Sequence, residues 1–144
     1  MMPYKNTIRG GCHCGNIEIE LHTDKETADF APRTCQCTLC RKHGATWISD
    51  PDGEAQVRYV DRAGVSRYRF GTGTSDFIVC KTCGVLTIAL CEIEGRTRAV
   101  LNIKSLPDHK FATEAVLTNF DGENVEERLA RRERNWTGRV TVVG

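Results

Sequence analysis

Seven of the eight cysteines in the chain fall into three short groups. They are Gly11-Cys12-His13-Cys14-Gly15, Cys35-Gln36-Cys37-Thr38-Leu39-Cys40-Arg41 and Cys80-Lys81-Thr82-Cys83-Gly84. A closely spaced cysteine pair in a turn presents two sulfurs to one side of an ion, as zinc requires for thiolates at about 2.3 Å in tetrahedral directions. Glycine directly after the pair, as at Gly15 and Gly84, lets the backbone bend around the ion at φ values other residues resist. Eight cysteines in 144 residues are more than core packing needs.

The groups partition by count. Cys35, Cys37 and Cys40 are too close in sequence to serve two metals easily, so they are expected to share one. Cys12, Cys14, Cys80 and Cys83 then complete a four-cysteine zinc site of structural type. Three protein ligands leave a fourth position open, the mark of a reactive centre. Three thiolates on Zn²⁺ sum to a charge near −1, which makes a poor Lewis acid for activating water but suits an incoming thiol held as thiolate. The chemistry expected at Cys35, Cys37 and Cys40 is therefore sulfur chemistry rather than hydrolysis.

Other readings of these residues exist. A disulfide within Cys-x-Cys is badly strained. A thioredoxin-like use of Cys37–Cys40 or Cys80–Cys83 lacks its βαβ context. A second purely structural zinc, completed by His43 or another side chain, is the serious rival. Cys91 lies in an apolar run and reads as a buried core thiol, and His13 reads as pointing away from the metal. Arg41, Lys42 and His43 follow the open site; Arg41 and Lys42 are candidate contacts for an anionic ligand. Trp47 and Phe70 read as core or pocket wall.

Strands must position these groups. Ile17, Ile19 and Leu21 alternate with Glu18, Glu20 and His22, the period of a half-buried strand. Further β-like runs are Ala45–Ser49, Gln56–Val60, Val65–Phe70, Asp76–Val79, Val85–Cys91, Arg98–Ile103 and Arg139–Val143. In Val85–Cys91 both alternating sets are apolar or small, which points to a central strand buried on both faces. The four-cysteine site would join the start of the first of these strands to the start of the sixth. A helix is expected over Glu123–Arg134, capped by Asp121, with acidic residues early and arginines late to suit the helix dipole. Val125 and Leu129 are its only clear apolar stripe, so its arginines read as a solvated face. The expectation is one mostly-β domain over residues 1–144.

Composition narrows the function. Twenty basic residues face 19 acidic ones for a net charge of +1, which removes a global electrostatic case for nucleic acid or anionic membrane as partner. The longest strongly apolar run, Val85–Cys91, is about a third of a bilayer span. The first residues, MMPYKNTIRG, contain no apolar h-region, so the expected compartment is the reducing cytoplasm, where clustered thiols serve metals.

In these three cysteine motifs, in their order and spacing, the sequence resembles the family of glutathione-dependent formaldehyde-activating enzymes, which also contains centromere protein V. The matching region covers roughly residues 8–122. The resemblance implies an Mss4-like fold of antiparallel β-sheets held by zinc with a short C-terminal helix. It implies a structural zinc on Cys12, Cys14, Cys80 and Cys83, and a second, catalytic-type zinc on Cys35, Cys37 and Cys40. The implied reaction is that of a carbon–sulfur lyase, joining formaldehyde to glutathione as S-hydroxymethylglutathione or cleaving that adduct. The second zinc would hold the glutathione sulfur as it attacks the aldehyde carbon. One position departs from the family pattern: Gln36 stands where the second motif commonly has histidine. A thiol carrier without catalysis and a zinc-stabilised interaction module are the alternative roles.

Overall fold

The computed structural model describes residues 4–106, 111, 115–120 and 122–144. Its strands are β1 (Asn6–Gly11), β2 (Ile17–Thr23), β3 (Arg33–Cys35), β4 (Trp47–Ile48), β5 (Glu54–Tyr59), β6 (Val65–Tyr68), β7 (Asp76–Cys80), β8 (Leu86–Ile93), β9 (Arg96–Asn102), β10 (Val116–Thr118) and β11 (Arg139–Val143). The helices are α1 (Thr38–His43) and α2 (Val125–Asn135). No helix among the described residues is long and apolar enough to cross a membrane.

The strands form two sheets, one of four strands in the order β1-β2-β5-β11 and one of seven in the order β10-β3-β4-β9-β8-β7-β6. Ile17, Ile19, Leu21 and Val57 turn from the smaller sheet into a core shared with Ile48, Ile78, Ile88 and Leu101 of the larger. The last four stand in one row, since Ile48 pairs with Leu101, Leu101 with Ile88 and Ile88 with Ile78. Removing each such side chain from water contributes about 1.5–3 kcal/mol, so this row and its facing residues fix the sandwich.

The reverse face of the larger sheet is also covered. Val100, Ala89 and Phe77 form the matching outer row, and they pack with Trp47, Trp136 and Leu129. Strand β8 is thus buried on both sides, with Ile88 facing the sandwich and Ala89 and Cys91 facing α2, as its unbroken apolar run required.

Three features differ from the sequence reading. The sheets are antiparallel except at two edges, where β11 pairs in parallel with β5 and β10 with β3. Parallel neighbours need a long crossover, and the chain from β5 to β11 supplies one that includes α2. Asp121 lies outside the described residues; the helix is capped by Asn124, whose side chain accepts from Glu127 N–H at 2.7 Å while the Glu127 carboxylate accepts from Asn124 N–H at 3.2 Å. The arginine face of α2 is not solvated throughout. Val125 is exposed, whereas Arg132 is only 5% exposed and stacks over Trp136. The aliphatic stems of the arginines supply the apolar contact that the sequence of α2 lacks.

Candidate metal centres

Two hairpin turns bring four sulfurs together. Cys12 and Cys14 lie in the turn from β1 to β2, and Cys80 and Cys83 at the turn from β7 to β8. The turns are built alike. Cys12 N–H donates to Ile17 C=O at 2.9 Å and Cys80 N–H to Val85 C=O at 3.1 Å, five residues on in each case. Gly15 (φ 88°) and Gly84 (φ 78°) both occupy the left-handed region, as their place after each pair implied. Ile17 N–H also points at Cys12 Sγ, 3.2 Å away.

All four Sγ atoms lie within 4.8 Å of one another. Cys14 Sγ is 3.7 Å from Cys12 Sγ and 3.5 Å from Cys80 Sγ. Thiolates at about 2.3 Å from a tetrahedral ion stand about 3.8 Å apart, so this spacing fits one metal. The turns belong to different sheets, so an ion here staples the sandwich across its layers. The Cys83 thiol is lowered to about 6; burial opposes ionisation, but N–H groups of Cys14 and Val85 and the thiols of Cys80 and Cys12 outweigh it.

Cys35, Cys37 and Cys40 form the second group, again with sulfurs within 4.8 Å. Cys35 ends β3. Cys37 caps α1, where its sulfur accepts from Cys40 N–H at 3.4 Å. Cys40 is buried in the first turn, and Trp47 Nε1–H donates to its sulfur at 3.4 Å. Hydrogen bonds from the Cys35 and Cys40 side chains, with N–H groups of Cys40 and Leu39, hold the Cys37 thiol far below its ordinary value. Cys35 and Cys37 push Cys40 upward. Three sulfurs this close ionise together only around a cation, which is the chemistry of a metal site. No further His, Cys, Asp or Glu joins either the trio or the quartet among the described residues. His43 and His13 are exposed and stand apart from both. Cys91 is a buried thiol outside both groups.

The trio forms one wall of a pocket of about 260 Å³. Its floor is the outer row Val100, Ala89 and Phe77, where the small Ala89 between two larger neighbours makes the hollow. Phe77 lies 6.1 Å from Trp47 and 5.2 Å from Phe70 between ring centres, and Trp136 closes another side. Trp47 and Phe70 are therefore pocket walls.

The cations beside this pocket are Arg33 of β3 and Arg128, Arg131 and Arg132 of α2. Arg41 borders only a separate polar cleft, which also touches Cys35 and Gln36, and Lys42 borders neither. The geometry of α1 explains this, because each residue rotates by about 100° and the positions after Cys40 turn outward. The three pocket arginines of α2 were not legible as site residues, since arginines along a helix that is acidic at its start have the same pattern as dipole compensation, and Arg33 stands on a strand too short to show a pattern.

No family model matches the chain. A solved structure of a Rhodobacter sphaeroides protein, described without a function, is similar to it with 28% sequence identity, 77% of this chain and 100% of that chain covered, and a TM-score of 0.57. The likeness accords with a mostly-β architecture of two sheets that carries two cysteine clusters able to hold metal.

Proposed function

We propose that the chain is a two-zinc protein that forms or cleaves the bond between a thiol sulfur and an aldehyde carbon, with glutathione and formaldehyde as the default pair. The observation that carries the reading is the position of Cys35, Cys37 and Cys40: three clustered sulfurs, without a fourth protein ligand among the described residues, form the wall of a pocket. Zinc bound there supplies an open position that favours a thiol in its thiolate form near neutral pH.

In the forward direction an S–C bond forms, the carbonyl π bond opens to a hydroxyl, and the proton lost by the thiol ends on that oxygen. The chain's own groups set the stage. Cys37 anchors the start of α1, and Trp47 donates to Cys40, so two sulfurs are fixed before any ligand arrives. The aromatic walls line the hollow beside the trio, of which Cys40 is buried and Cys35 and Cys37 are half-buried. Gln36 and Arg41 border the polar cleft on the other side, where the carboxylates of a peptide thiol can be met.

The test is exchange of ¹³C-formaldehyde with glutathione, followed by NMR with zinc-loaded protein. The two react spontaneously, so the expected result is exchange above that background, lost in Cys37→Ser. Exchange at the background rate with both metals in place overturns the proposal.

A further inference from the structure

The pocket is better furnished than formaldehyde requires. A one-carbon aldehyde has neither an apolar body nor a charge, yet the hollow offers five aromatic rings, from Trp47, Phe70, Phe77, Phe120 and Trp136, and a cluster of guanidiniums.

The charges do not close on themselves. Glu123 is the acidic partner of this cluster, with both carboxylate oxygens on Arg131 at 2.9 and 3.0 Å and one 3.7 Å from Arg128 Nε. Arg33 donates to Ser49 at 2.8 Å and has no carboxylate partner among the described residues. Arg132 is the most deeply placed. Its Nη1 donates to Thr74 Oγ1 at 2.9 Å and to Cys91 Sγ at 3.4 Å, while its buried Nε donates to nothing among the described residues. A buried cation without an anion is costly, so an unpaired Arg at a cavity wall marks where a ligand's charge belongs. Three thiolates with a divalent cation contribute about −1, which still leaves the pocket positive.

We infer that the pocket is a binding site for a small carboxylate with an apolar body, its carboxylate on Arg132 and its body against Phe77, Phe70, Trp47 and Trp136 beside the cysteine trio. A guanidinium matches a carboxylate through two parallel hydrogen bonds, and Thr72, Thr74 and Ser75 border the same side with hydroxyls. This deepens the function proposed above and rests on it in one respect: if the trio receives the thiol, the carbonyl compound it meets carries a carboxylate and an apolar group.

Trp47 and Trp136 are the two tryptophans of the chain, and both line the pocket, so their fluorescence reports its occupation directly. Phenylacetate is titrated into the zinc-loaded protein, with the neutral phenylacetamide and with acetate as comparators. The expected result is saturable quenching by phenylacetate, with the amide and acetate each weaker by at least about tenfold, the order of one charge-assisted paired contact. Arg132→Gln is expected to erase the preference for the acid over the amide, and Arg132→Lys to keep part of it. Equal binding of acid and amide by the native protein, or binding of neither, overturns the inference without recourse to any variant. Retained preference in a folded Arg132→Gln protein overturns the role of Arg132. Thiol–formaldehyde exchange is measured on the same sample, so acid binding without exchange defeats only the function proposed above, and exchange without acid binding defeats only this one.

Discussion

Replacing Cys14 by serine isolates what the four-cysteine centre contributes to the fold. Cys14 is exposed, unlike Cys12 and Cys80, so the substitution disturbs no packing and its cost reads the cross-link alone. Its sulfur lies 3.5 Å from that of Cys80, 66 residues away in sequence. A link of that span removes about 4 kcal/mol of loop entropy from the unfolded chain on the chain-entropy model. Structural zinc contributes about 10–16 kcal/mol in small peptides, so the loop term is a lower bound. Against a total stability of about 5–15 kcal/mol, even that bound is a large share. For a chain of this size it corresponds to a fall of about 10–15 °C in melting temperature. Thermal unfolding by circular dichroism, paired with zinc content per chain, makes the measurement. Cys14→Ser is expected to lose one zinc and to melt at least that much lower, whereas Cys37→Ser loses the other zinc and melts within a few degrees of the native protein. A Cys14→Ser protein that lacks its zinc yet melts within about 2 °C of native would show that the sheets hold without the staple.

Four further outcomes are expected. Trp47→Phe removes the N–H aimed at Cys40 Sγ, so zinc titrations at the second centre should require higher pH, with a stability cost of about 1 kcal/mol. Ala89→Leu places a larger side chain in the pocket floor; phenylacetate binding should disappear while the melting temperature stays close to native, and a fall beyond the 1–3 kcal/mol of ordinary overpacking would show that the hollow is not free space. Hydrogen bonds from Arg131 hold the Glu123 carboxyl below its ordinary value of 4.5, so its folded pKa is the depressed one. Its stabilisation is present above pH 4.5 and is lost as pH falls through the lower folded value; Glu123→Gln should therefore flatten the acid limb of the melting curve, and an unchanged limb would deny the coupling. Cys91→Ala should leave two zinc ions per chain, because Cys91 stands outside both clusters.

The cysteine partition could be read directly because residues able to hold a metal declare themselves by type and spacing, and the paired glycines located the bends. Long strands were equally plain where alternation was strong, as in β2 and β8. The strands that escaped notice have little pattern of their own. β1 (NTIRGG) holds a single large apolar residue, and β3 and β10 have three residues each, so all three exist through pairing with neighbours rather than through intrinsic preference. The pocket was hidden for a different reason. It is assembled from residues between Arg33 and Trp136, and its charge sits on arginines whose sequence pattern suits an exposed helix. Arg41 and Lys42 drew attention by adjacency to the cysteines, yet the rotation of α1 carries them away from the hollow.

The order of the chain has a consequence for how the protein comes into being. Every sulfur of the two clusters lies at or before Cys83, whereas Arg128, Arg131, Arg132 and Trp136 come later. Synthesis proceeds from the N-terminus, and early segments begin to organise first. A nascent chain therefore displays both complete ligand sets before α2 exists to shelter the trio. With metal bound as proposed, capture would precede pocket closure, and the interval between them would be when the second centre is most open to the wrong ion or to an oxidant. The rate of translation across residues 84 to 136 thus enters the fidelity of metal loading, alongside affinity.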